Sequence, residues 1–330
     1  MRRIVVGLAT LALVACGTST ASPEPTQQSP STTPASVTTT TEGPTTTEGP
    51  EETATTVPGS TTTTASVATT TTSENTTTVA PAATMHLAPY FYVDEAGHPD
   101  RTGPFVLPIA REVPTTMAAA RAAMEQLLAG PTSDERQGVP AISTAIPSGV
   151  RLLGLTINEN IATVDLSSEF DATDDSATVA QRAAQVVFTL SRFDSVADVL
   201  FREEGDPVTI QTGDGSLVSR PVGVWDYLDF AAAISIESPA YGGAPGNPLR
   251  VTGFGAVFEA TFQYALADSD GRVIAEGVAM TDNGTGWGGL DFTIPYDVDQ
   301  RQVGALIVWA NSAKDGSHID VREYPVVLAP

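Results

Sequence analysis

Hydrophobic and polar positions divide this chain into four stretches. An apolar run from Ile4 to Val14 follows Arg2 and Arg3. From Gly17 to about Thr84 the sequence contains no aromatic residue, Leu, Ile or Met. From Leu87 to about residue 228 apolar residues recur at both strand and helix spacings, and from Ala231 onward only short alternating runs remain. The first two stretches lack the pattern of a packed core; the last two carry it.

In the third stretch, Leu87–Val93 and Phe105–Arg111 read as extended segments separated by turn residues Gly97, Pro99 and Gly103. Thr115 or Thr116 is placed to cap a helix with Met117, Ala120, Met124, Leu127 and Leu128 on its apolar face, and Gly130-Pro131 ends it. Arg151–Ile157 and Ile161–Leu166, joined by Asn158-Glu159-Asn160, predict a β-hairpin. A second helix begins near Ser176, with Val179, Ala183, Val186, Val187 and Leu190 as its stripe. Val196–Arg202 then reads as a strand, with a return through Val208-Thr209-Ile210. This order predicts an α+β domain, a small sheet with two helices on one face.

The fourth stretch predicts seven strands: Ala232–Ile236, Leu249–Phe254, Phe258–Leu266, Arg272–Met280, Leu290–Pro295, Val303–Trp309 and Ile319–Leu328. Short alternating strands between Gly, Pro and Asp/Asn turns are the pattern of an all-β, immunoglobulin-like sandwich. Asp268-Ser269-Asp270-Gly271 reads as a hairpin turn, with Gly271 supplying the positive φ.

Composition changes the picture for the first two stretches. Ile4–Val14 is about 11 residues long, well short of the ~20 that cross a bilayer, so it reads as a secretory signal. Leu13-Val14-Ala15-Cys16, holding the one cysteine of the chain, resembles the bacterial lipobox. The resemblance implies cleavage before Cys16 and a diacylglyceryl group on its thiol, two acyl chains that anchor durably. Residues 1–15 are then a lipoprotein signal peptide. Residues 16–84, rich in Thr, Ser and Pro, form a disordered linker, because so little apolar surface cannot offset the entropy of ordering. Such a linker has a root-mean-square reach of ~45 Å as a coil and ~200 Å when extended. The net charge of −23, with Lys314 the one lysine, argues against nucleic acid and against direct adhesion to anionic lipid.

Ala122–Thr132, Ile146–Val150, Thr163–Ser167 and Gln181–Phe193 fall in an order that resembles the GerMN domain of sporulation and spore-germination proteins and bacterial lipoproteins. That resemblance implies, for residues 85–229, a fold similar to the ring-building modules of secretion and sporulation assemblies, with no known catalytic activity. Ser238-Pro239-Ala240, Val251-Thr252-Gly253, Val257–Ala260, Asp268–Arg272, Gly286–Gly289 and Ser312–Ser317 resemble the immunoglobulin-like domain that accompanies GerMN in spore-germination proteins. It covers residues 230–330.

Candidate chemistry is sparse. A serine nucleophile needs a base within hydrogen-bond reach, and the histidines His86, His98 and His318 lie in different sequence contexts from Ser167. Asp165 and Ser167 are expected to close the turn after their strand. Asp171, Asp174 and Asp175 suit a helix N-terminus better than a metal loop. Asp268 and Asp270 match half of a calcium loop without its twelve-residue pattern. Phe258 and Trp309 are expected in the core, Lys314 in an ion pair, and Trp287, among glycines, is the candidate ligand platform. No catalytic residue, metal or cofactor is expected. The reading is a non-enzymatic surface lipoprotein, held to the cell membrane through Cys16 on the extracytoplasmic face. It acts as an assembly or scaffolding module with envelope protein partners, and cell-wall polysaccharide is the alternative ligand, through Trp287.

Overall fold

The computed structural model describes residues 83–93, 104–138, 140–172 and 175–330. The segment read as a signal, Cys16, the expected linker up to residue 82, the turn containing Gly97, His98 and Pro99, and Asp174 lie outside the described residues, while Thr84, the last residue of that expected linker, opens a strand.

Strand β1 (Thr84–Leu87) pairs antiparallel with β4 (Arg111–Pro114), and between them β2 (Tyr90–Val93) pairs with β3 (Phe105–Pro108). Every residue of β2 and β3 is buried, because β2 and β3 pack against a helix and β3 also meets the first strand of the second region. Helix α1 (Ala119–Ala129) starts later than the sequence suggested. The Thr116 hydroxyl accepts the Ala118 N–H at 3.1 Å, a local turn that keeps the chain out of the helix, and Met117 is left fully exposed ahead of it. Ala123, Met124 and Leu127 form the buried stripe, and Gly130 ends the helix at φ +78°.

A short helix α2 (Ser133–Gln137) follows, which the apolar pattern did not reveal. Thr132 and Glu135 form a reciprocal capping box, and Glu135 also takes a two-pronged ion pair from Arg111. Strand β5 (Ile142–Ser143) adds to β2 on the side away from β3. Strands β6 (Leu152–Asn158) and β7 (Ile161–Leu166) form the expected hairpin, with Glu159 and Asn160 both left-handed at φ +50° and +62°. Helix α3 (Ser176–Leu190) crosses back to β8 (Asp198–Glu203), which runs parallel to β7. Strand β9 (Asp206–Pro207) closes a four-stranded sheet, while β10 (Ile210–Gln211) pairs with β11 (Leu217–Val218) instead. The first region therefore holds four small sheets, β1-β4, β3-β2-β5, β6-β7-β8-β9 and β10-β11, where the sequence suggested one.

The second region is the expected sandwich. Strands β12 (Ile234–Ser238), β13 (Leu249–Gly255), β14 (Thr261–Ala267), β15 (Val273–Met280), β16 (Gly288–Ile294), β17 (Gln302–Asn311) and β18 (His318–Leu328) make two antiparallel sheets. Their orders are β12-β13-β16 and β15-β14-β17-β18. Phe258 is not in a strand: Phe258–Ala260 is a tight turn with Glu259 and Ala260 at φ +57° and +60°, and it swings the Phe258 ring into solvent.

The core runs without a break from the first region into the second. Phe188 of α3 stacks on Tyr90 at 5.2 Å and on Phe254 of β13 at 6.2 Å. Arg322 of β18 lies 4.4 Å over the Phe105 ring. Tyr241 bridges both regions through its backbone, donating to Pro108 O and accepting from the Ala110 N–H.

Candidate functional site

Two surface features stand out. The first is the outer face of the four-stranded sheet. Pairing places Val278, Gln263 and Trp309 in one cross-strand row and Glu276, Ala265, Ile307 and Glu323 in the next. Ala305 and Pro325, then Val303 and Val327, complete the face. Their partners on the alternate positions (Phe262, Leu266, Leu306, Val308 and Tyr324) fill the core, so alternation forces this second apolar set outward. Val278, Met280 and Val303 are each more than 60% exposed. A half-apolar alternation with a polar outer face is the norm for an antiparallel sheet, so an apolar outer face calls for an explanation.

The second feature is a cleft of about 310 Å³ between α3, β1 and the segment that follows β12. Ala88, Pro239 and Ala244 give it apolar walls, and His86, Thr189, Arg192 and Ser238 are its polar residues. The Arg192 guanidinium donates to the Glu237 carbonyl oxygen at 2.7 Å. The Tyr90 hydroxyl donates to the Glu237 carboxylate at 3.2 Å. Burial, and then the adjacent Glu237 charge, push the Tyr90 hydroxyl well above its ordinary pKa, so it stays a donor. This polar group ties β12 to β2 and α3.

The residues singled out from sequence fall into separate places. Ser167 is fully buried and its hydroxyl accepts the Arg151 N–H at 2.9 Å, while Asp165 accepts the Gly205 N–H at 3.0 Å. Both close strand ends, as expected. Asp175 caps α3 by accepting the Ala177 N–H at 3.2 Å. Asp268 accepts the N–H groups of Asp270 and Arg272 and pairs with the Arg272 guanidinium at 2.9 Å. Its oxygens are thereby committed to the turn. Among the described residues no group of three or more His, Cys, Asp or Glu side chains is placed to hold a metal ion.

Trp287 is half-buried, its ring packed at 5.6 Å against Phe254. Trp309 is not core: it sits on the outer sheet face, 5.1 Å from the His318 ring. Lys314 forms no ion pair among the described residues; Asp315 accepts from the Ser317 N–H and hydroxyl instead. Trp225, 67% exposed, was not singled out from sequence, because it lies beyond the helical and strand periodicities. Among the described residues no helix is long and apolar enough to cross a membrane.

Residues 89–209 match the family model described as sporulation and spore germination. Residues 233–317 match the model of the immunoglobulin-like domain of bacterial spore germination. A search of the curated proteins gives no match. Among solved structures, a protein of Clostridium perfringens described as a candidate lipoprotein is similar at 19% identity, covering 45% of this chain and 93% of its own, with a TM-score of 0.30. The tandem GerMN domains of the sporulation protein GerM from Bacillus subtilis are similar at 14% identity, covering 66% of this chain and 64% of theirs, with a TM-score of 0.35. The chain thus carries a sporulation and spore germination domain followed by the immunoglobulin-like domain of bacterial spore germination.

Proposed function

We propose that this relative of sporulation and germination proteins is a non-enzymatic assembly module of the cell envelope, tethered by a lipid on Cys16 and a long linker. The observation that carries the reading is the apolar outer face of β15-β14-β17-β18, with Val278, Met280 and Val303 largely exposed and Trp309 and Ile307 between them. Apolar surface gathered on one rigid sheet is stabilised when a partner covers it, at ~25 cal/mol per Å² removed from water. A tether on Cys16 would hold that face within reach of membrane or wall proteins.

The test is site-specific photo-crosslinking in cells, with the photoreactive residue at Val303 or Ile307 and a control at Leu217 in the first region. A discrete protein adduct from the sheet positions, lost on adding Val278→Lys, is the expected result. Adducts of equal pattern at Leu217, or none at the sheet, would refute the assembly role. Cys16→Ala separates the tether from the fold: it should move the protein out of the membrane fraction without changing its unfolding temperature. Retention after a salt wash would show that another element holds it.

A further inference from the structure

Resting on that assembly reading, we propose how the partner docks: strand β15 accepts an extended, basic segment of the partner as an added strand. β15 is the terminal strand of its sheet, paired with β14 along one side from Val273 to Met280. Its other side makes no backbone hydrogen bond to any described residue. The opposite terminal strand is covered, since the Gly242 N–H donates to Pro325 O and the Val327 N–H to Gly243 O.

Folded proteins close long edges with lysine, proline, central bulges or short length. β15 has eight residues, no proline and no lysine or arginine, and Glu276 is its one charge. The register shift it does carry is confined to the end at Ala267 and Val273. Gly277 has a separate explanation, because a Cβ there would lie 2.5 Å from the Tyr264 hydroxyl. Val278 and Met280, both 63% exposed, are not explained by any packing within the chain.

Size supports the use of the edge together with the face. Four strands at ~4.8 Å spacing and about seven residues at ~3.4 Å give the outer face roughly 450 Å². A stable interface covers ~800 Å² on each partner, so the face alone is about half of one. The adjoining edge, with Phe258 exposed in the turn that bonds Thr281 just past Met280, extends the surface in one direction.

Charge selects the occupant. Glu276 lies within the edge and Glu259 and Asp282 lie beside its Met280 end, while at the Val273 end Asp270 is offset by the exposed Arg272, so the acidic excess sits toward Met280. A second copy would bring the same acids and another net charge of −23 against them. A segment with apolar residues at alternate positions and basic residues at the end that meets Met280 satisfies both the edge and the acids.

The test uses the full chain and two fluorescent synthetic peptides of alternating valine and threonine, one ended by lysines and one by glutamates. The lysine-ended peptide should bind saturably, about tenfold tighter than the other, and weaken as salt rises. N-methylation of alternate peptide amides, or Val278→Lys on the protein, should each weaken it about tenfold or more, whereas Leu217→Lys, at an exposed position of the first region, should leave it within about twofold. Unfolding temperatures of both variants establish that they fold. Equal binding of the two peptides, no saturable binding, or indifference to N-methylation and Val278→Lys would overturn the proposal. So would a salt-strengthened dimer in sedimentation that Val278→Lys abolishes, since that makes a second copy the occupant. If the peptide fails while the Val303 and Ile307 adducts persist, the edge is wrong and the assembly role stands.

Discussion

Phe188→Ala should destabilise both folded regions together. Phe188 is 1% exposed on α3, with Tyr90 of the first region on one side and Phe254 of the second on another. Truncating a buried Phe costs ~3–5 kcal/mol, through lost transfer energy and the cavity left behind. The lost ring pairs, ~0.5–1.5 kcal/mol each, place this site at about 4 kcal/mol. With a urea dependence of ~2.5 kcal/mol per molar, the midpoint should fall by ~1.6 M. Single-tryptophan variants read the regions separately: Trp225 reports the first and Trp309 the second. Both signals should shift equally, because one core cluster crosses between the regions. A Trp309 midpoint that holds while that of Trp225 falls would refute the claim of a shared core.

Gly253→Ala should cost at least ~2 kcal/mol in a urea melt, because its Cβ would lie 2.1 Å from the Ser235 carbonyl oxygen, a backbone atom that cannot turn away. Gly246→Ala, with open space around it, is the neutral control. Asp175→Ala should lose about 1 kcal/mol by removing the cap of α3, and hydrogen exchange at the Ala177 and Thr178 amides should rise first. The Asp268 carboxyl is held below its ordinary pKa, first by the Arg272 N–H and also by the Asp270 N–H and the Arg272 charge. A depressed carboxyl contributes stability above its unfolded pKa of ~3.9 and loses it as pH falls through the folded value. Wild-type thermal stability should therefore drop in that acid window, and Asp268→Asn should flatten the drop; an unchanged acid profile would refute the assignment.

Local patterns were legible wherever one periodicity had a single solution. The stripe Val179, Ala183, Val186, Val187 and Leu190 predicted α3, and all five are buried. Ile161–Leu166 alternates cleanly, and Ala162, Val164 and Leu166 face the core. The capping box Thr132-Ser133-Asp134-Glu135 was also readable, but a helix with no buried residue leaves no apolar period to draw attention to it. Phe258 was misread because hydrophobicity alone implies burial; the left-handed turn at Glu259 decides otherwise. Trp309 was misread because Ala305 to Ala310 is apolar at every position, so alternation cannot say which set faces inward.

The sequence by itself determined the two long helices, the β6–β7 hairpin and the order of the second region's strands, since helix stripes, strand alternation and glycine turns depend on neighbours a few residues apart. It also determined the acidic balance and the expectation that Cys16 is lipidated. Only the tertiary structure decided the parallel pairing of β7 with β8, the fusion of two regions through Phe188, Tyr90 and Glu237, and which face of an apolar strand meets water. It alone decided that β15 ends its sheet with no backbone partner on its outer side among the described residues, while β18 has one. These are properties of register and of contacts between residues far apart in the chain, and a one-residue slip in register would reverse every face without altering any local pattern.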